Sequence, residues 1–158
     1  MMLALAAADT LAADDPGGWT AAKWGMTGAQ ILTAFPGQAA PLDPPDSVNH
    51  AHVQIREFDL AGAAFRVYFV PDKDDHLASV LLTPSKPPAS GNEAMFQHLQ
   101  ELLVEKYGHP WSSTVGGRTQ LQWSLKTTTI TLSLAHIAGG LTFLSLGYRQ
   151  RSADLDKM

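Results

Sequence analysis

The sequence contains no cysteine. Disulfide scaffolds, thiolate metal sites, cysteine nucleophiles and a lipid-modified N-terminal cysteine are therefore excluded. Charged residues are scarce as well, at 16% of 158 residues, where about 25% is usual in globular domains. Because hydrophobic residues make up 45%, the chain is predicted to fold as a single domain with a weakly charged surface.

Basic clusters and long apolar runs are also missing. Eleven basic and fifteen acidic residues give a net charge of −4, and no basic run is present, so no nucleic-acid partner is predicted. No apolar run approaches the roughly 18 residues that span a bilayer, so no stable membrane insertion is expected. The nucleophile-elbow, zinc-protease, phosphate-loop and dinucleotide motifs are absent too, and the sequence predicts a protein that is not an enzyme and has no cofactor.

The N-terminus carries a short apolar run that ends in small residues. Ala6-Ala7-Ala8 before Asp9 satisfies the small-x-small rule of a signal-peptidase site, and Leu11-Ala12-Ala13 before Asp14 is a second candidate. A positively charged leading region is missing. We expect residues 1–13 to be a signal-peptide remnant, residues 14–158 to form a single α+β domain, and the protein to be periplasmic or secreted. The alternative is a frayed helical turn.

Two helices are indicated by their caps. Thr27 and Gln30 have capping-box spacing, which predicts a short helix over about residues 28–34. A second helix is predicted to begin at Ser90 and to end at Gly108, because apolar residues recur between them at the helical period.

Only strand-like sequence follows each helix, since apolar and polar residues alternate there. The predicted strands are residues 50–59, 64–70 and 77–83 after the first helix, and 118–125, 128–136 and 141–149 after the second. We therefore predict an α+β fold of two helix-then-three-strand units, about residues 19–88 and 89–150, that form antiparallel sheet with the helices packed on one face.

Short motifs carry a family resemblance. Trp24-Gly25-Met26-Thr27 followed by Phe35-Pro36-Gly37 resembles the Trp-Gly-Met-Ser/Thr helix start of small exported bacterial proteins of unknown function, and Val67-Tyr68-Phe69 with Leu77-Ala78-Ser79-Val80 is similar to the same group. The duplicated pattern further resembles the architecture of beta-lactamase-inhibitor protein and of the small lipoprotein of the outer-membrane barrel-assembly machinery. The chain differs from the lipoprotein because it has no cysteine to lipidate.

Polar residues alternate with the predicted core positions and would share one sheet face. Interface cores are depleted in Asp, Glu and Lys and enriched in Tyr and Arg, so we predict that this face binds a protein partner; an ordinary solvated face is the alternative. The predicted partner-binding residues are His52, Gln54, Arg56, Arg66, Tyr68, Gln120, Gln122, Thr129 and Thr131, with Ser133 on the same face.

An enzyme is the alternative from another class. His50 and His52 would point to the same side of a strand and could offer two imidazoles to a metal ion, with ligands from the acidic segment 72–76. A solvated histidine pair and a charged hairpin turn explain the same residues. A hydrolase could be drawn from Ser112 and His109 in the loop after the second helix, although no oxyanion-hole turn accompanies them.

A third hypothesis is a structural envelope protein that self-associates. It requires the last strand, residues 141–149, to lie at a sheet edge, where unpaired backbone groups could pair with a second copy.

Overall fold

The computed structural model describes residues 14–151, so the predicted signal-peptide remnant of residues 1–13 lies outside the described residues. Strands account for 46% of the described chain and helices for 17%. The fold is mostly β, and the predicted α+β arrangement of two helix-then-three-strand units is wrong. Within residues 14–151, no helix is long and apolar enough to cross a membrane.

The two helices divide the strands into groups. In chain order the elements are β1 (Gly18–Trp19), β2 (Ala22–Lys23), α1 (Gly28–Ala34), β3 (Ala39–Pro41), β4 (Val53–Leu60), β5 (Ala63–Pro71), β6 (Leu77–Pro84), α2 (Asn92–Tyr107), β7 (Trp111–Val115), β8 (Arg118–Ser124), β9 (Thr128–Ile137) and β10 (Leu141–Gln150). Strands β1 and β2 form a small ribbon, and the other eight form one antiparallel sheet in the order β3-β4-β5-β6-β10-β9-β8-β7.

The predicted units fail because edge strands carry no alternating pattern. Strand β7 exposes four of its five residues, and β3 is a three-residue strand inside a proline-rich connection, so neither shows a buried face. The sequence halves also share one sheet, because β6 pairs with β10 through Leu82 opposite Leu146 and Val80 opposite Tyr148. The strands of the two predicted units therefore belong to one sheet, and neither unit forms a separate sheet.

The helix caps are confirmed in part. The Thr27 hydroxyl accepts from the Gln30 backbone N–H at 3.3 Å, and Gln30 Oε1 accepts from the Thr27 N–H at 2.9 Å, so α1 begins as predicted. Helix α2 begins at Asn92 after Gly91 with no side-chain cap, so the predicted start at Ser90 is wrong. Its predicted end at Gly108 is confirmed, and the φ of +91° there favours glycine.

One face of the large sheet forms the core. Buried residues of both helices and the inward residues of β4, β5, β6, β8, β9 and β10 join in a single cluster. An aromatic group closes one end of it, where Trp19 stacks on Phe35 with ring centroids 5.8 Å apart and meets Phe58 edge-on at 4.9 Å. Phe69 lies 5.5 Å from Phe35 and ties this group to the sheet centre.

A carboxylate clasp connects the first described residues to the turn between β8 and β9. Asp15 Oδ1 accepts from the Gly17 N–H at 2.8 Å and from the hydroxyls of Thr127 at 2.8 Å and Thr128 at 2.9 Å, and Oδ2 accepts from the Thr127 N–H. The buried Thr128 hydroxyl also accepts from Trp24 Nε1 at 2.9 Å. The clasp therefore fixes the β1–β2 ribbon against the second half of the sheet.

Candidate functional site

Among residues 14–151, no helix packs on the second face of the large sheet, and we call this face the open face. Directly paired residues of antiparallel strands point to the same side, so the register defines which residues it contains. Its central row, read across the sheet, consists of Trp111, Gln122, Thr131, Gly147, Leu81, Tyr68 and Gln54. The core residues occupy the intervening positions on the other side.

The open face holds a groove of about 520 Å³ over β8, β9, β10 and β6. Amides, hydroxyls and arginines dominate its lining, and the described lining residues include no aspartate, glutamate or lysine. Its polar side chains include Ser79, Arg118, Gln120, Gln122, Thr129, Thr131, Ser133, Ser145, Arg149 and Arg151, with Gly147 between them. The sheet itself therefore forms a polar, cationic concavity.

Gly147 lies in the middle of β10 on the groove floor. Its φ is not in the left-handed region, so the backbone does not require glycine there. A Cβ at this position would meet nothing nearer than the Val80 carbonyl oxygen at 3.9 Å, an ordinary contact. Glycine weakens a strand interior and often marks close approach of a ligand or another backbone. Gly147 thus deepens the groove at the expense of strand propensity.

Three arginines supply the groove's charge. Arg118 Nη1 donates to Ser133 Oγ at 3.3 Å, which draws this side chain over β9. Arg151 donates to the Leu125 carbonyl oxygen at 2.7 Å and is held at the opposite end. Arg149 is exposed on β10.

Exposed apolar residues lie along two margins of the open face. Trp111 is 63% exposed and Val115 74%, and both belong to edge strand β7, where Val115 is opposite Arg118. Phe143, 62% exposed, is opposite Ala135 on β9, and Ala135 is in turn opposite Arg118. Arg118 is therefore flanked by apolar surface, a combination that is common at interface anchors.

The predicted partner-binding residues divide between the groove and its surroundings. Gln120, Gln122, Thr129 and Thr131 line the groove, as does Ser133. Gln54, Arg66 and Tyr68 lie on the open face of β4 and β5 beyond the groove lining. Arg56 is exposed in the β4 bulge, and His52 is exposed just before β4.

The sequence interpretation missed Gly147 and the arginines at positions 118, 149 and 151. The sequence did contain a signal for Gly147 and Arg149. Alternation along β10 places them, with Ser145, on the other face of the strand from the buried Leu144 and Leu146. The glycine was informative only once β10 was known to be a central strand.

The proposed histidine pair does not form on a strand. His50 has a φ of +62° in a turn, and β4 begins only at Val53. Asp72 Oδ1 instead accepts from the N–H groups of Asp74 at 2.8 Å and His76 at 3.0 Å, which shapes the β5–β6 turn. These hydrogen bonds lower the pKa of the Asp72 carboxyl. Residues 14–151 contain no group of three or more histidine, aspartate and glutamate side chains placed to hold a metal.

The structure also does not bring the proposed hydrolase residues, Ser112 and His109, together in a hydrogen-bonded pair. Ser112 belongs to strand β7 and is not in a loop, and across the described chain no hydrogen bond joins it to a histidine. Gly116 and Gly117 form the two-residue turn between β7 and β8, and their φ values of +57° and +82° suit such a turn.

The last strand does not lie at a sheet edge. Strand β10 is central, paired with β6 on one side and with β9 on the other. The condition for self-association through residues 141–149 is therefore not met.

Comparison with protein families, curated proteins and solved structures finds no match to this chain. The resemblance to small exported bacterial proteins stays a prediction.

Proposed function

We propose that this chain is an exported, non-enzymatic module that binds a protein partner on its open face. The observation that carries the proposal is the groove floored by Gly147, because a bare position in a central strand is costly and leaves room for an approaching backbone. Its volume of about 520 Å³ lies within the range of functional concavities.

The composition of the face favours a protein partner. Protein interfaces are enriched in arginine and depleted in lysine and carboxylates, and the described groove lining contains three arginines and no lysine, aspartate or glutamate. The exposed Trp111 and Phe143 supply large apolar area at the two margins of the open face. Tryptophan and arginine are among the residues that contribute most to binding energy, so Trp111 at the margin of the open face and the arginines of the groove resemble anchor points.

Export is the part of the proposal that rests on residues 1–13. We expect the full chain to be recovered from the periplasm or culture medium with its N-terminus at Asp9 or Asp14. Cell fractionation followed by intact-mass measurement checks this. Recovery of the uncleaved chain in the cytoplasm alone would contradict export while leaving the binding face untouched.

Gly147→Val is the variant that tests the binding face. The added side chain occupies the groove floor, so capture of the partner from an envelope extract should fall by at least about tenfold, equivalent to about 1.4 kcal/mol. Because the backbone is compatible with valine and strands favour β-branched residues, the free energy of unfolding should stay equal or rise by up to about 1 kcal/mol. Affinity capture with mass spectrometry and urea unfolding measure the two effects.

Thr114→Val is the matched control. It places the same side chain on exposed strand β7, at a position whose neighbour across the strands is Thr119 and whose direction is away from the open face. Partner capture should be unchanged. Equal capture by the Gly147→Val variant and the wild type would show that the groove is not the binding site.

A further inference from the structure

The charge of the groove is opposite in sign to that of the whole chain. The chain has a net charge of −4, yet three of its five arginines line the groove. None of the described lysines, aspartates or glutamates does. The described lining thus contains arginine as its only charged residue type. This positive charge suits a negatively charged ligand.

The presence of arginine and not lysine in the groove indicates which chemical class of ligand it would bind. A guanidinium presents a planar set of donors that matches a carboxylate in a bidentate pair, whereas an ammonium acts as a compact point charge. Serine and threonine hydroxyls and glutamine amides surround the arginines, as at Gln122, Thr131 and Ser145, and can donate to carboxylate or peptide oxygens. The lining therefore suits a ligand with both carboxylates and a peptide backbone.

The spacing of the charges favours an extended ligand. Arg118 is opposite Ala135 of β9, and Arg149 is opposite Thr129 of the same strand. At about 3.3 Å per strand residue, the six residue steps from Thr129 to Ala135 separate the two arginine backbones by about 20 Å along β9. An extended segment of about six residues covers that distance, and Gly147 lies beside its midpoint, opposite Thr131.

We propose, building on the function above, that the bound partner presents an extended acidic segment along β9. One carboxylate pairs with Arg118, and a second, about six residues away, pairs with Arg149 near Arg151. An apolar side chain beside the first carboxylate contacts Phe143, which lies on the strand next to β9. The backbone of the segment passes over Gly147.

The acidic-segment proposal can be tested without knowing the partner, by selection from a displayed library of random peptides that are each about twelve residues long. Peptides are selected on the full chain and counter-selected on the Gly147→Val variant. The enriched sequences should carry aspartate or glutamate at two positions five to seven residues apart, with an apolar residue next to one of them. Enrichment without acidic bias, or no enrichment over the variant, would overturn the proposal.

Binding of one enriched peptide then assigns the arginines. By fluorescence anisotropy, Arg118→Gln and Arg149→Gln should each weaken binding about tenfold or more, as is expected for loss of a charge-assisted pair. Lys73→Gln, which removes the same charge from the exposed β5–β6 turn, should have little effect. Equal weakening by all three variants would reduce the effect to overall charge and contradict the assignment.

A small anion is the competing ligand. Glutamate or citrate that binds with the affinity of the peptide would overturn the extended-segment proposal, because only a ligand spanning both arginines gains from both. Partner capture that is lost in Gly147→Val yet retained in the Arg118→Gln/Arg149→Gln double variant would keep the binding face and reject the acidic segment. Retained capture in both would reject the face itself.

Discussion

Phe69→Ala is expected to lower the free energy of unfolding by about 3–5 kcal/mol, the largest loss predicted for this chain. Phe69 is 1% exposed in the last third of β5, and its ring lies 5.5 Å from that of Phe35 and 6.0 Å from that of Trp19. Removal of the ring leaves a cavity that the sheet cannot close, because β5 is held between β4 and β6. Equilibrium urea unfolding followed by tryptophan fluorescence measures the loss.

Phe143→Ala is the matched control for that loss. The substitution is the same, but Phe143 is 62% exposed on the open face, so the change should stay within about 0.5 kcal/mol. Similar losses in the two variants would mean that the β5 aromatic group is not the centre of the core. A small loss for Phe69→Ala alone would mean that the surrounding rings collapse into the vacated space.

Asp15→Asn is expected to lower the free energy of unfolding by about 1–3 kcal/mol at neutral pH. Asp15 receives four donors, from Gly17, from the hydroxyl and N–H of Thr127, and from the Thr128 hydroxyl. An amide in place of the carboxylate keeps the shape but removes the charge and replaces one acceptor with a donor. The amide oxygen can serve the three donors at Oδ1 only if the amide nitrogen faces the Thr127 N–H, which then loses its acceptor.

The effect should disappear in acid. Burial alone would raise the Asp15 pKa, but hydrogen bonds from Thr127, Gly17 and Thr128 outweigh it and hold the pKa below its usual value of 3.8. The unfolded chain therefore binds this proton more readily than the folded chain. The stabilisation is complete above the unfolded-state pKa and is lost as the pH falls through the folded-state pKa. The gap between wild type and variant should thus shrink from about pH 5 downward.

Asp59→Asn provides the control, because Asp59 is an exposed carboxylate near the end of β4. Its free energy of unfolding should change by less than about 0.5 kcal/mol at neutral pH. Urea unfolding at a series of pH values compares the three proteins. A gap between wild type and Asp15→Asn that persists unchanged in strong acid would assign the loss to packing and not to the charge.

Local features of the fold were predictable because their causes are local. The capping box of Thr27 and Gln30 acts within four residues, and the paired glycines at 116 and 117 adopt the positive φ values of a tight hairpin. The alternation of Ile130, Leu132 and Leu134 with Thr129, Thr131 and Ser133 likewise marks two faces of one strand. Each of these patterns predicts the same local structure regardless of the rest of the fold.

The edge strands and the joining of the halves were not predictable in this way. Strand β7 is exposed on most of its residues, so hydrogen bonds to β8 and not a buried face define it. Strand β3 is three residues long and ends in Pro41, which suits an edge but shows no periodicity. The β6–β10 pairing joins segments that are far apart in the chain, as Leu82 opposite Leu146 illustrates, and no local pattern reports it.

For the groove, too, local sequence patterns predicted some features, and the arrangement of the strands decided the others. Alternation placed Gln120, Gln122, Thr129 and Thr131 on one polar face, and the structure brings all four to the groove. The predicted residues on β4 and β5 share the face but lie beyond the lining, since the position of a strand in the sheet decides its distance from the concavity.

The sequence alone determined which side chains face the core and which face away, because strand and helix periods are properties of the backbone. It also excluded cysteine chemistry, since the chain has no cysteine, and it showed that the chain has no run of basic residues. The tertiary structure decided that the strands form one sheet, that β10 is central, and that Gly147 lies between Arg118 and Arg149 in a groove. These features depend on pairing between distant segments, which follows from how the whole chain buries its apolar surface.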